Sequence, residues 1–363
     1  ICKHPEFAKR GIKIKDYNSL NAWIEKETKL GNPALEAKVA AEGDAGQFGG
    51  NMPEDSSGTL QYVVVKHAGR TLGNGDELNG IEIIRRLINL KGFKISAGTL
   101  IAVPMVNVYG VINQSRYMPD RRDLNRSFPG SAKGSLAARV ANIFLKEIVS
   151  HCDYGIDLHT GAIHRSNLPQ IRAQLADDET LALAQAFGAP VILNSEIIDG
   201  SLRDAAVDNG TKVLLYEAGE ALRFDEFSIR AGIKGIVNVL RHLKMTPKGR
   251  ARKKTVNQFV ANNSGWVRAT SSGIVTHLFN LGDQVKKGQV LAEIGSPYGE
   301  ILTEVLANKS GVIIGKQNIP LVQEGEAMYH IAYFKEDDEE IAEHIGSVEE
   351  ELVNHIVNSE GLL

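Results

Sequence analysis

Between residues 60 and 243 short β-rich runs alternate with amphipathic stretches, and this alternation limits the fold more narrowly than any other property of the chain. Residues 60–65, 99–106, 190–193 and 212–216 are dense in aliphatic and β-branched side chains. Between them, residues 77–90, 135–150, 179–187 and 227–243 read as helices. In the first of these Ile81, Ile83, Ile84, Leu87 and Ile88 make an apolar side, and Gly92 stands where a helix would stop. Strands alternating with helices predict an α/β sheet with helices on both faces. The pattern ends in a basic, breaker-containing linker at residues 246–263. Beyond it come short strands at 266–269, 273–278, 290–294, 301–306, 311–314 and 327–332, separated by glycine turns, which predicts a small all-β barrel or sandwich.

These shifts divide the chain into three expected parts. Residues 1–50, with one amphipathic stretch around Trp23, are expected to form an arm that packs on the core. Residues 51–255 form the α/β domain, and residues 256–363 the β-rich domain with an acidic, helical tail from 335 onward. A length of 363 residues suits two domains with sizeable cores. The formal charge of −3 gives no nucleic-acid footprint, and no apolar run reaches the length of a membrane span. The opening residues Ile1-Cys2-Lys3-His4-Pro5 lack the shape of a signal peptide. Two cysteines, Cys2 and Cys152, cannot build a disulfide framework or a cysteine zinc site, so a reducing, cytoplasmic setting is expected.

Chemistry gathers at predicted strand ends. The run Asp153-Tyr-Gly-Ile-Asp157-Leu-His159-Thr-Gly161 reads as a short strand, with Asp157 and His159 on one side of it. At the carboxyl end of a sheet strand His159 is a candidate metal ligand, or else a histidine satisfied by local hydrogen bonds. Ahead of the first helix stands Gly73-Asn74-Gly75-Asp76-Glu77. Two carboxylates at a helix start repel an anion, so Glu77 suits a cation or simply the helix dipole. The loop around Asp123-Leu-Asn125-Arg126, with Arg116 and Arg122 nearby, offers guanidinium forks to a carboxylate, or an Asp–Arg network that only holds the loop. Glu217, at the end of Val213-Leu-Leu-Tyr216, is placed as a general base for a metal-activated water, or as a solvated edge charge.

Taken together these motifs resemble one family. Gly-Asp-Glu-Leu-Asn-Gly at Glu77, Ser-Arg-Tyr-Met-Pro followed by Asp-Leu-Asn-Arg-Ser-Phe-Pro-Gly, Asp-Leu-His-Thr at His159 and Tyr-Glu-Ala-Gly-Glu at Glu217 occur in the order of the succinylglutamate desuccinylase/aspartoacylase family. The resemblance runs from about residue 60 to 334 and implies a zinc-carboxypeptidase-like mixed sheet flanked by helices. It further implies a zinc-dependent amidohydrolase, with one Zn²⁺ per chain, that removes an acyl group from a small N-acyl amino acid. Glu77 and His159 would be metal ligands, Glu217 the base, and Arg116, Asn125 and Arg126 the holders of the substrate carboxylate.

One departure bears on activity rather than on fold. The family pattern is His-Gly-Asp-Glu, and the first position of that motif is here Asn74. An amide oxygen is a far weaker zinc ligand than an imidazole. The third ligand is then Asn74 or His67, ten residues before Glu77. The alternative is a metal-deficient, non-catalytic homologue that binds a carboxylate ligand. The stretch from Leu281 to Ile294 resembles half of a biotinyl or lipoyl carrier domain, but its turn, Ser296-Pro-Tyr-Gly-Glu300, has no lysine to carry a cofactor. The same β-rich region offers strand edges through which copies of the chain can pair into a homo-oligomer.

Overall fold

A computed structural model describes residues 62–66, 76–247 and 258–333. The expected N-terminal arm, the loop carrying His67 and Asn74, the middle of the linker and the acidic tail lie outside these residues. In chain order the α/β part runs β1 (Tyr62–Lys66), α1 (Leu78–Ile88), β2 (Thr99–Val103), α2 (Val108–Asn113), α3 (Leu136–Glu147), β3 (Tyr154–Gly161) and β4 (Arg165–Ala173). It continues with α4 (Asp178–Phe187), β5 (Val191–Asn194), α5 (Leu202–Asp208), β6 (Lys212–Glu220) and α6 (Glu226–His242). Short 3-10 turns occupy Leu124–Arg126 and Val149–His151.

The rest is strand: β7 (Phe259–Ala261), β8 (Ser264–Arg268), β9 (Gly273–His277), β10 (Gln284–Val285), β11 (Val290–Gly295) and β12 (Ile301–Leu306). Last come β13 (Gly311–Gln317), β14 (Leu321–Val322) and β15 (Ala327–Tyr333).

An eleven-stranded mixed sheet runs β2-β1-β3-β6-β4-β13-β15-β8, with β5, β7 and β10 attached beside it. β2, β1, β3 and β6 are parallel, and β4 is antiparallel to β6. Alternate residues of the central strands face opposite ways. Ile156, Leu158, Ile171, Leu214 and Tyr216 pack against Ile83 and Leu87 of α1, Phe187 of α4 and Ile236 of α6. Val213 lies on the other face in a cluster with Ala141 and Phe144 of α3 and Leu202 of α5. The expected two-sided cover is therefore present. Each fully buried aliphatic side chain contributes about 1.5–3 kcal/mol, and the amphipathic helices hold their places through such contacts more than through propensity.

β4 is not among the runs read as strands, and Pro169 lies inside it, where proline removes a ladder hydrogen bond. The structure resolves the conflict by changing partners at that residue. Arg165, Ser166 and Asn167 pair with β13, whereas Gln170 to Ala173 pair with β5. The ladder to β6 is also irregular between Asn167 and Gln170. Pro169 thus falls in the gap where one neighbour hands over to the next, and no ladder bond is asked of it. The expected strand at 99–106 ends early at Val103. Asn107 instead caps α2, its side-chain oxygen accepting from Gly110 N–H at 2.8 Å.

The C-terminal strands make a smaller β-layer. β12-β11-β9-β14 form a four-stranded sheet that closes with β8, β13 and β15 over Leu291, Ile294, Val305, Ile313, Met328 and Ile331. This is the sandwich anticipated from the glycine-separated runs. The hairpin between β11 and β12 presents Tyr298 at its tip, 93% exposed. β13 and β15 belong at the same time to the large sheet, so the sandwich grows out of the edge of the α/β part through β4.

Candidate active site

The site lies on one face of the sheet, at the carboxyl ends of β3 and β6. Register puts Asp157 beside Leu215 and His159 beside Glu217 on these parallel strands. Across the antiparallel pair, Glu217 faces Gln170 and Leu215 faces Arg172. Directly paired residues point to the same side of a sheet. Asp157, His159, Gln170, Arg172 and Glu217 therefore share a face, while the apolar residues alternating with them fill the core behind.

Glu77 is brought to this place by α1. It occupies the cap position of that helix but makes no side-chain cap hydrogen bond. Its Oε2 accepts from the Thr160 backbone N–H at 3.1 Å and lies 3.5 Å from His159 Nδ1. The other ring nitrogen, Nε2, lies 3.0 Å from Asp157 Oδ2. The imidazole, 2% exposed, sits between two carboxylates. The simple helix-dipole reading of Glu77 does not account for a carboxylate turned toward the end of β3. Asp76 is also buried, which pushes its carboxyl above the usual range. Its carbonyl accepts from Leu222 N–H at 2.6 Å, tying the start of α1 to the segment after β6.

Glu217 is completely buried, so it is not a solvated edge charge. Asn167 Nδ2 donates to its Oε2 at 2.7 Å, and Arg172 Nη1 stands 3.7 Å from its Oε1. Two residues on, backbone and packing both require a glycine at Gly219. Its φ is +73°, and a Cβ there would lie 2.6 Å from Asn79 Nδ2, which bonds the Ala218 carbonyl at 3.3 Å. Gly219→Ala is expected to cost about 1–3 kcal/mol, from left-handed backbone and displaced Asn79 together. Gly288→Ala, with φ +82° but nothing near its Cβ, is the control for backbone strain alone. Denaturant midpoints of the two variants measure the difference, and equal losses would remove the packing part of the argument.

The arginine loop divides into two roles. Arg116 Nη2 bonds Asp123 Oδ2 at 2.9 Å, and its guanidinium lies 5.1 Å from the Tyr117 ring. Burial lowers the Arg116 pKa and raises that of Asp123, with each charge opposing the other's shift. Asp123 Oδ1 also accepts from Asn125 N–H at 2.8 Å. Arg116 is thus paired within the loop. Asn125 and Arg126 instead line a pocket together with Asp157, Arg172, Ser201 and Arg203. Asn125 Oδ1 is anchored by Leu202 N–H at 2.8 Å, and Arg126 Nη1 donates to the Asn125 carbonyl at 2.6 Å.

Sequence reasoning passed over Asn167, Arg172 and Arg203. The first two belong to β4, outside the runs read as strands. The alternation of Gln170, Arg172 and Gln174 with Ile171, Ala173 and Leu175 was the available signal for Arg172. Arg203 bonds Ser195 Oγ at 3.2 Å and the Glu196 carbonyl. The β-sandwich braces the same strands: Gln170 Nε2 donates to the Ile314 carbonyl at 3.0 Å, and Asn318 Nδ2 to Glu220 Oε2 at 2.8 Å.

Among the described residues no group of three or more His, Cys, Asp or Glu side chains is placed to hold a metal. Both candidates for the third position, His67 and Asn74, lie outside them. What is described fits part of a zinc site. A carboxylate and an imidazole nitrogen converge from Glu77 and His159, and Asp157 stands behind the ring as carboxylates do behind metal-binding histidines. An amide at position 74 would be the poor member of such a set.

A model of the succinylglutamate desuccinylase/aspartoacylase catalytic domain matches residues 73–243. The N-α-acetyl-L-2,4-diaminobutyric acid deacetylase of Halomonas elongata is 30% identical over 276 residues, covering 72% of this chain and 80% of that protein. The product-bound ectoine utilization protein EutE of Ruegeria pomeroyi has a TM-score of 0.67 at 24% identity, over 76% of this chain and 86% of its own. A succinylglutamate desuccinylase from Silicibacter gives 0.66 at 24% identity, over 77% and 86%. At such identities the two structures bear on the fold alone.

Proposed function

Since the chain belongs to the succinylglutamate desuccinylase/aspartoacylase family, hydrolases that release acyl groups from N-acylated amino acids, we propose that its pocket receives an N-acyl amino acid by the carboxylate and hydrolyses the amide. The observation that carries this reading is Glu217, buried without exposure and in register with His159. A carboxylate is not buried in such a place without partners, and Asn167 and Arg172 hold this one at the strand end. Asn125 and Arg126 would hold the carboxylate from the loop. Glu217 would take a proton from the attacking water and deliver it to the departing amine nitrogen. A zinc ion held by Glu77, His159 and either Asn74 or His67 would polarise the amide carbonyl and make water acidic enough to lose that proton. The name of the Halomonas relative, a deacetylase of an N-acetyl amino acid, supports the substrate class.

Asn74 supports a second reading, a homologue that keeps the carboxylate pocket but has lost the metal and the hydrolysis. The donor chemistry at this position favours it, because zinc prefers imidazole to an amide oxygen. The two readings share the pocket and part at the metal. Arg126→Ala tests what they share: truncating one partner of a desolvated charge pair costs about 2–5 kcal/mol of binding. Calorimetry with a panel of N-acyl amino acids reads the loss, and unaltered affinity would return Arg126 to a loop-holding role. Hydrolysis of the same panel after zinc supplementation separates the readings, since the second allows none.

A further inference from the structure

We infer that Arg172 is a ligand-binding residue, contributing the sheet-side half of a two-guanidinium clamp on the ligand's carboxylate, with Arg126 on the loop side. The inference rests on the carboxylate-pocket reading and adds to it a residue that the motifs do not include. Arg172 is 2% exposed and sits within β4, yet it is on the wall of the pocket. Its Nε is 3.4 Å from Gln170 Oε1, and its Nη1 is 3.7 Å from Glu217 Oε1. Its Nη2 is buried and has no hydrogen-bond partner among the described residues. A guanidinium offers five donors in a fixed plane, and a buried donor left unmet is costly. The other two pocket arginines are partly committed, Arg126 Nη1 to the Asn125 carbonyl and Arg203 Nη2 to Ser195 and Glu196.

The charges around Arg172 make the missing partner an anion. Glu217 Oε1 lies beyond hydrogen-bonding distance, at 3.7 Å, and Asp157 is turned to the His159 ring at 3.0 Å. Neither carboxylate therefore satisfies the pocket edge of the guanidinium. Three arginines and one carboxylate, Asp157, line the pocket and leave it positive. A ligand carboxylate meets Nη2 and Arg126 at once, as planar forks are suited to do. Strand β4 cannot shift to follow the ligand, because it is paired on both edges. Arg172 is thus the rigid side of the clamp.

The test compares two ligands in the full-length protein. One is the ketone isostere of an N-acetyl amino acid, with CH₂ in place of the amide NH so that nothing is hydrolysed. The other is the same compound with its carboxylate changed to carboxamide. Wild type is expected to prefer the carboxylate by about 30-fold or more, and Arg172→Gln to reduce that preference to below about threefold. The preference is an internal ratio, so general weakening of the fold does not produce the result. Arg172→Lys keeps the charge without the fork and decides the matter if the glutamine variant does not fold. A fall in its preference of at least about threefold supports the clamp. Full preference in either folded variant overturns the proposal. If Arg126→Ala abolishes the preference and the Arg172 variants do not, the pocket stands and Arg172 falls. If wild type shows no preference at all, both are wrong.

Discussion

Asn74→His is expected to raise zinc affinity by at least about tenfold, and hydrolysis of N-acyl amino acids with it. Removing even an outer partner of a metal ligand costs about 10–100-fold in affinity, and in the proposed site this change would replace a direct donor. Two donors already converge, with Glu77 Oε2 3.5 Å from His159 Nδ1 and Asp157 behind the ring. Adding an imidazole supplies the donor that zinc favours where an amide now stands. Competition against a chromophoric chelator measures the affinity, and hydrolysis is followed by release of free amine. If wild type already holds one zinc per chain as tightly as the variant, Asn74 is not the weak point. His67→Ala would then be the substitution that empties the site.

Glu217→Gln should lower turnover by roughly 10²–10⁴-fold in whichever background hydrolyses, wild type or Asn74→His. Zinc content should change little. The glutamine carbonyl can still accept from Asn167 Nδ2, so the hydrogen bond at 2.7 Å has a replacement. The charge does not. Arg172 loses the carboxylate that stands 3.7 Å away, and breaking a buried pair of this kind costs about 3–5 kcal/mol of stability. Turnover is therefore compared at a temperature where circular dichroism shows both proteins folded. Persistent turnover would leave Glu217 as the counterion of Arg172 and nothing more.

Both expectations depend on placements that the chain made legible to different degrees. His159 and Glu217 could be found because each ends an apolar run with a polar residue, and ligands gather at the carboxyl ends of such strands. Asn125 and Arg126 stood out as fork and amide in a polar loop, and they do reach the pocket. Arg116 looked the same in sequence. Its engagement with Asp123 depends on how the loop folds back, which residue types alone do not determine. Arg172 sits in β4, outside the runs that read as strands. Pro169 argues against a strand, and only the exchange of β13 for β5 at that point lets β4 exist.

Local properties of the sequence determined the class of the protein: alternating periods of two and 3.6 demand a sheet covered by helices, and short glycine-separated runs demand a β-layer after it. They also determined the chemical vocabulary, a histidine, carboxylates and arginines at loops and strand ends. Tertiary structure alone decided how these groups meet. The 3.5 Å approach of Glu77 to His159 joins residues from a helix start and a strand end. The burial of Glu217 depends on β4 lying beside β6, and β4 is held on its other edge by β5 and the C-terminal strand β13. The physical reason is range. Periodicity and capping act over a few residues, whereas desolvation and charge pairing act through space between segments that the chain itself keeps far apart.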